Sequence, residues 1–155
     1  MTLKSAILEG KTFLLSEKVV KENEMRVELL SLPKSCFESR PKRIKQAFIK
    51  EVRRDNKPHC DVRIRKEGLG RYTLTSKFRP KRHEATMQIT QEMYESLWKK
   101  SHSKQIKDRY HLNSGWVVDL MGEGRIVAEY EFKPGEREVK IPKDFKVKEI
   151  LDKGF

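Results

Sequence analysis

Five short segments of the chain place charged or polar residues two apart: Glu22-Asn-Glu24-Met-Arg26, Arg63-Ile-Arg65, Thr75-Ser-Lys77, Lys107-Asp-Arg109 and Glu129-Tyr-Glu131. In an extended strand, residues i and i+2 lie on one face. Each segment therefore aims its polar pair at one side of a sheet. The residues between and around them (Met25, Val27, Val62, Ile64, Leu74, Val127, Ala128, Tyr130 and Phe132) are apolar and can supply a buried face. A surface lined with many cations and a few carboxylates suits a polyanion taken together with a divalent metal. Guanidinium forks bind phosphate oxygens bidentately, ammonium groups act as point charges, and carboxylates are hard oxygen ligands for Mg²⁺ or Mn²⁺. The plainer alternative for any one segment is a solvated face with cross-strand pairs worth about 0.2–1 kcal/mol each.

The elements that must position these residues are mostly strands. Apolar alternation and breakers predict strands over Glu22–Leu30, Ile44–Val52, Cys60–Lys66, Arg71–Phe78 and His83–Ile89, and again over Ile106–Leu112, Trp116–Met121 and Ile126–Phe132. Asp55-Asn56-Lys57-Pro58, Glu67-Gly68-Leu69-Gly70 and Gly122-Glu123-Gly124 read as turns. One helix is expected over Gln91–His102, capped by Thr90, with Met93, Tyr94, Leu97 and Trp98 on its apolar side. Trp98 and Trp116 read as core residues. Residues 1–21 read as an N-terminal extension, and 22–155 as a single domain. The fold class expected is α+β, mainly antiparallel β, with seven or eight strands in a barrel-like sheet and peripheral helices.

Composition narrows the partners. The 155 residues carry a formal net charge of +12, with 37% charged and 36% hydrophobic residues. That balance favours anions such as nucleotides, polyphosphate, nucleic acid or acidic lipid, and it falls short of a disordered composition. Cys36 and Cys60 have no metal-ligand spacing and no disulfide framework, which fits a reducing compartment. Lys4, Glu9, Gly10 and Lys11 break any signal-peptide run, and no stretch reaches the roughly 20 apolar residues that cross a bilayer. The expectation is a cytoplasmic protein with no membrane partner.

Taken in order, the strand motifs resemble the CYTH superfamily, named for class IV adenylyl cyclase and thiamine triphosphatase, whose members are also called triphosphate tunnel metalloenzymes. Glu22-Asn-Glu24-Met-Arg26 resembles the opening Glu-x-Glu-x-Lys strand, with Arg26 in place of Lys. A rival register at Glu9-Gly-Lys11 puts Ile7 where the first acid belongs, so the later one is preferred. Gln46-Ala-Phe48 is similar to Gln-Gly-Tyr, Arg63-Ile-Arg65 to Arg-x-Arg, and Leu74-Thr75-Ser-Lys77 to Leu-Thr-x-Lys. Arg82-His-Glu84 stands where Arg-x-Glu-x-Glu is usual, with Thr86 at the second Glu. Lys107-Asp-Arg109-Tyr110, Asp119 and Glu129-Tyr-Glu131-Phe132 resemble the closing segments. The likeness spans about residues 22–132, and its specificity lies in the ordered set.

The resemblance implies an eight-stranded tunnel-like barrel that hydrolyses the phosphoanhydride of inorganic triphosphate or of a nucleoside or organic triphosphate, by in-line attack of water with Mg²⁺ or Mn²⁺. It implies Glu22, Glu24, Asp119, Glu129 and Glu131 as metal ligands, and Arg63, Arg65, Lys77, Arg82, Lys107 and Arg109 as substrate-binding cations. Arg26, Glu129 and Glu131 fall at catalytic positions. Arg26, Phe48 and Thr86 depart from the pattern and weigh more on catalysis than on phosphate binding. Three other readings compete: a non-catalytic polyphosphate- or nucleotide-binding module, an adenylyl cyclase, and a nucleic-acid-binding barrel. The last is disfavoured except for a 5′-triphosphate end, because carboxylates in a groove repel a phosphate backbone.

Overall fold

The computed structural model describes residues 2–8, 11–17, 20–21, 23–101 and 103–154, with strand backbone alone up to residue 21. The strands run β1 (Thr2–Leu8), β2 (Lys11–Glu17), β3 (Val20–Lys21), β4 (Glu24–Leu29), β5 (Lys42–Arg54), β6 (Lys57–Glu67), β7 (Arg71–Phe78) and β8 (His83–Gln88). The helix α1 (Gln91–Lys100) follows, then β9 (Ser103–His111), β10 (Val117–Met121), β11 (Ile126–Glu131) and β12 (Val147–Asp152). A short 3₁₀ turn covers Lys34–Glu38 between β4 and β5. The mainly antiparallel α+β architecture expected from the sequence is the one observed, with twelve strands and one α-helix among the described residues.

The chain divides into two compact units. The first comprises Met1–Lys21 and Lys45–Lys104, the second Glu22–Ile44 and Gln105–Phe155. In the first, neighbouring strands run β5-β6-β7-β8-β3, and β1 and β2 pair as a separate antiparallel hairpin. In the second the order is β12-β4-β11-β10-β9, antiparallel throughout. The turn between β5 and β6 places Asp55 and Asn56 at φ 52° and 61°. Two consecutive left-handed residues match the twist of the flanking strands, and Asp and Asn tolerate that region best among non-glycine residues.

Each unit has its own apolar face. In the second, Val27 and Leu29 of β4, Ala128 and Tyr130 of β11 and Val118 of β10 pack with Trp116, Cys36 and Phe145. Trp116 is 1% exposed, and its ring centroid lies 5.5 Å from Tyr130 and 5.4 Å from Phe145. Its indole Nε1–H donates to the Lys140 carbonyl at 3.2 Å, so the one polar atom of the ring is satisfied. In the first unit, α1 begins where Thr90 Oγ1 accepts the Met93 backbone N–H at 3.1 Å, the capping arrangement expected. Met93, Tyr94 and Leu97 then join Ala47, Ile64 and Leu74.

Three details differ from the sequence expectations. The first strand of the second unit is confined to Glu24–Leu29, and β12 arises from a tail expected only to be basic. Val127 is fully buried but alternates with Glu129 on the polar side, opposite Glu28 and Asp119, so it does not belong to the apolar face. Among the described residues, no helix is long and apolar enough to cross a membrane. Trp116→Ala should lower unfolding free energy by about 3–5 kcal/mol, read by urea denaturation, since it leaves a ring-sized cavity and an unpaired Lys140 carbonyl.

Candidate functional site

Strand register assembles a charged face in the second unit. Asp119 of β10 is opposite Arg109 of β9, and Met121 is opposite Lys107. Asp119 is 0% exposed and both of its oxygens are engaged. Arg109 Nε donates to Oδ1 at 2.7 Å and Arg109 Nη2 to Oδ2 at 2.8 Å, a bidentate fork. Lys107 Nζ lies 2.8 Å from Oδ2. The ladder continues through Arg109 Nη2, 3.8 Å from Glu129 Oε2 on β11. Arg26 of β4, directly opposite Glu129, donates from Nε to Glu129 Oε1 at 3.2 Å and lies 3.9 Å from Glu24 Oε1. Glu131, exposed, pairs across the strands with Glu24. Further along the same face, Glu28 is held by Arg125 at 2.7 Å and Lys148 at 3.0 Å, which keep its carboxyl below the usual range.

The first unit carries a second charged face. Asp61, Arg63 and Arg65 alternate along β6 opposite Lys77, Thr75 and Thr73 of β7, which in turn face Glu84, Thr86 and Gln88 of β8. Arg65 is fixed by Gln46 of β5, whose Oε1 accepts from Nη2 at 2.9 Å and from Nε at 3.2 Å. Lys77 Nζ lies 4.0 Å from Glu84 Oε2, and Thr75 and Thr86 share a hydroxyl hydrogen bond of 3.0 Å. Two side-chain atoms on this face are buried without a hydrogen-bond partner, Arg63 Nε and Asp61 Oδ1. Asp61 itself is 2% exposed, and its Oδ2 accepts from Arg79 Nη2 at 2.7 Å and Nε at 3.1 Å.

Register thus brings Glu24, Arg26, Lys107, Arg109, Asp119, Glu129 and Glu131 onto one face, and Arg63, Arg65 and Lys77 onto another. Arg82 is on neither strand. It closes the turn between β7 and β8 at φ 52°, its backbone N–H donating to the Arg79 carbonyl at 3.1 Å. Glu22 and residue 9 of the rival register lie outside the described residues. Asp61, Arg79 and Glu28 went unnoticed in the sequence. Asp61 alone carried a signal, an acid two residues before the Arg-x-Arg pair and on its face. A separate cavity of about 290 Å³, lined by Ser35, His111, Asn113, Ser114 and Asp144 among others, contains none of the expected residues.

Among the described residues, no three His, Cys, Asp or Glu side chains converge into a ready metal site. The donor chemistry nevertheless fits a hard divalent cation. Glu24 and Glu131 are directly opposed, and Glu129 is two residues from Glu131 on the same face. Asp119 is engaged differently, with both oxygens turned to cations.

Burial works against the charge of Asp119, but Arg109 and Lys107 outweigh it and hold the carboxyl below its ordinary 3.8. As pH falls, the unfolded chain takes up this proton before the folded one. The contribution is therefore complete above about pH 5 and drains away as pH drops through the ordinary value toward the folded one. Asp119→Asn should cost about 3–5 kcal/mol near neutrality, because two cations lose their shared partner. Urea unfolding at stepped pH should show that gap narrowing toward pH 3.

No protein-family profile matches the chain, and no curated protein matches it in sequence. Solved structures do. A crystal structure of the hypothetical protein NE1496 matches with TM-score 0.51 and 19% identity, over 81% of this chain and 87% of that one. A second, of the inorganic triphosphatase NE1496, matches with TM-score 0.51 and 19% identity, over 82% of this chain and 85% of that one. At that identity the likeness concerns the fold alone: the chain shares the fold of these two structures.

Proposed function

We propose that this protein is a metal-dependent triphosphatase that cleaves the terminal phosphoanhydride bond of inorganic triphosphate or of a nucleoside or organic triphosphate. The observation that carries the reading is the pair of charged faces. Each holds two or more cations at alternate strand positions, and one adds a row of carboxylates in register. The fold shared with an inorganic triphosphatase supports it.

Arg63, Arg65 and Lys77 would bind phosphate oxygens on the first face, and Lys107 and Arg109 on the second. The buried, unpartnered Nε of Arg63 is a donor suited to such an oxygen. Gln46 and Asp119 are positioning residues: they hold Arg65 and Arg109 in fixed rotamers before the anion arrives, so less side-chain freedom is lost on binding. Glu24, Glu129 and Glu131, with Glu22, would hold Mg²⁺ or Mn²⁺. When bound, such an ion neutralises charge on the phosphoryl oxygens. Water attacks the terminal phosphorus in line as the bridging P–O bond breaks, and a strand carboxylate orients that water. Arg26 cannot be the base, because its guanidinium stays protonated. It stabilises negative charge instead.

The engagement of Glu129 by Arg26 gives the non-catalytic binding module a specific observation in its favour. Phosphate release separates the two readings. Turnover of inorganic triphosphate or ATP with Mg²⁺ or Mn²⁺, abolished by EDTA, is the expected result; binding without turnover under any metal would favour the module. Glu129→Gln should raise the metal concentration needed for half-maximal turnover by about tenfold, and an unchanged requirement would remove Glu129 from the metal site. Arg65→Ala should weaken inorganic triphosphate binding by about tenfold to a hundredfold in calorimetry, while an unchanged affinity would place Arg65 outside the site.

A further inference from the structure

Arg26 stands where the resembled pattern has lysine, and its guanidinium lies against two carboxylates assigned above to the metal. Nε donates to Glu129 Oε1 at 3.2 Å and is 3.9 Å from Glu24 Oε1. Register imposes this contact. Arg26 and Glu129 are directly opposed on antiparallel strands, and Glu24 is two residues away on the same face. The other oxygen of Glu129 is 3.8 Å from Arg109 Nη2, so cations approach that carboxylate from both sides. A guanidinium cannot vacate such a place by losing a proton. It is displaced by another cation at the carboxylates, or drawn away by a stronger anion.

We propose that Arg26 is a resident counter-ion which competes with the divalent metal for Glu129 and Glu24. Metal uptake is thereby weak until a triphosphate takes the guanidinium. The proposal rests on the metal-dependent reading above and adds a regulatory step to that site. Phosphate oxygens match the arginine fork at least as well as one carboxylate does. A bound triphosphate therefore frees the carboxylates for the metal, and the metal frees the arginine for the triphosphate. Such coupling is reciprocal by thermodynamic necessity. Lysine at this position would give a compact, strongly hydrated charge that lets go more easily.

The test is Mn²⁺ binding to the full chain, read as loss of the free-ion paramagnetic resonance signal, with no triphosphate present. Wild type is compared with Arg26→Gln, Arg26→Lys and Arg43→Gln. Arg43 is 68% exposed and pairs with Asp108 at 3.0 Å, so its loss calibrates the general effect of removing one positive charge from the same unit. Arg26→Gln should bind Mn²⁺ about tenfold tighter than wild type or more, because a like charge no longer sits at the carboxylates. Arg26→Lys should fall between the two, and Arg43→Gln should change affinity far less. Equal affinity for Arg26→Gln and Arg43→Gln, or weaker binding by Arg26→Gln, would overturn the proposal. If none of the four proteins binds Mn²⁺, even with inorganic triphosphate added, the metal-dependent function itself fails. Circular dichroism and melting of each variant show whether it is folded, and Arg26→Lys keeps the comparison decisive should the glutamine variant be unstable.

Discussion

The charged face of the second unit depends on one carboxylate. Asp119 has no exposed surface, and a buried ionised group with nothing beside it would cost several kcal/mol. It is tolerated because Arg109 and Lys107 meet both of its oxygens within 2.8 Å. The same constraint acts on the cations. Lys107 is only 6% exposed, so its ammonium depends on Asp119 as fully as the reverse. The charged face is thus held together by an internal anion.

From that centre the ion pairs form a chain of alternating sign: Asp119, then Arg109, then Glu129, then Arg26, then Glu24. Alternation has two consequences. It lowers the like-charge repulsion that a purely cationic face would carry. On the proposed reading it would also set a threshold for ligands, since a phosphate or metal arriving at these pairs would exchange with a resident partner. On the opposite side of the same strands, Val27, Val118, Ala128 and Tyr130 are buried with Trp116 and Phe145. The pleat separates the two environments by one residue, so a one-residue slip of β11 against β4 would exchange them. Burial of the apolar side therefore fixes the register, and the register fixes which charges meet.

Much of this was legible in the sequence because it is local. Thr90 capping α1, Arg71–Phe78 as a strand, the Asp55-Asn56 turn and the burial of Trp116 all follow from spacing and residue type within a short window. The i, i+2 pairs reported correctly which side chains share a face of one strand. They could not report which strand lies alongside. The bond from Arg26 to Glu129 spans 103 residues, and Gln46 to Arg65 spans 19. Asp61 gave no such warning of its partner, because Arg79 is 18 residues away and meets it only where β6 lies beside β7. Arg82 takes the first position of the resembled Arg-x-Glu-x-Glu motif, yet it lies in the turn between β7 and β8 at φ 52°, where the chain reverses. Val127 shows the limit of hydropathy, since an apolar residue can sit on a charged face when its cross-strand neighbours cover it.

The central claim is that a triphosphate binds on the alternating charged faces, and not wherever an excess of twelve positive charges happens to attract it. Backbone amide NMR of the 18.4 kDa chain, titrated with inorganic triphosphate, tests this directly. The account requires shifts to concentrate at Arg63, Arg65 and Lys77 or at Lys107, Arg109 and Glu129, and to saturate. Shifts confined to exposed lysines and arginines such as those near the β5–β6 turn and on β12, without saturation, would contradict it and reduce the charged faces to internal ion pairing.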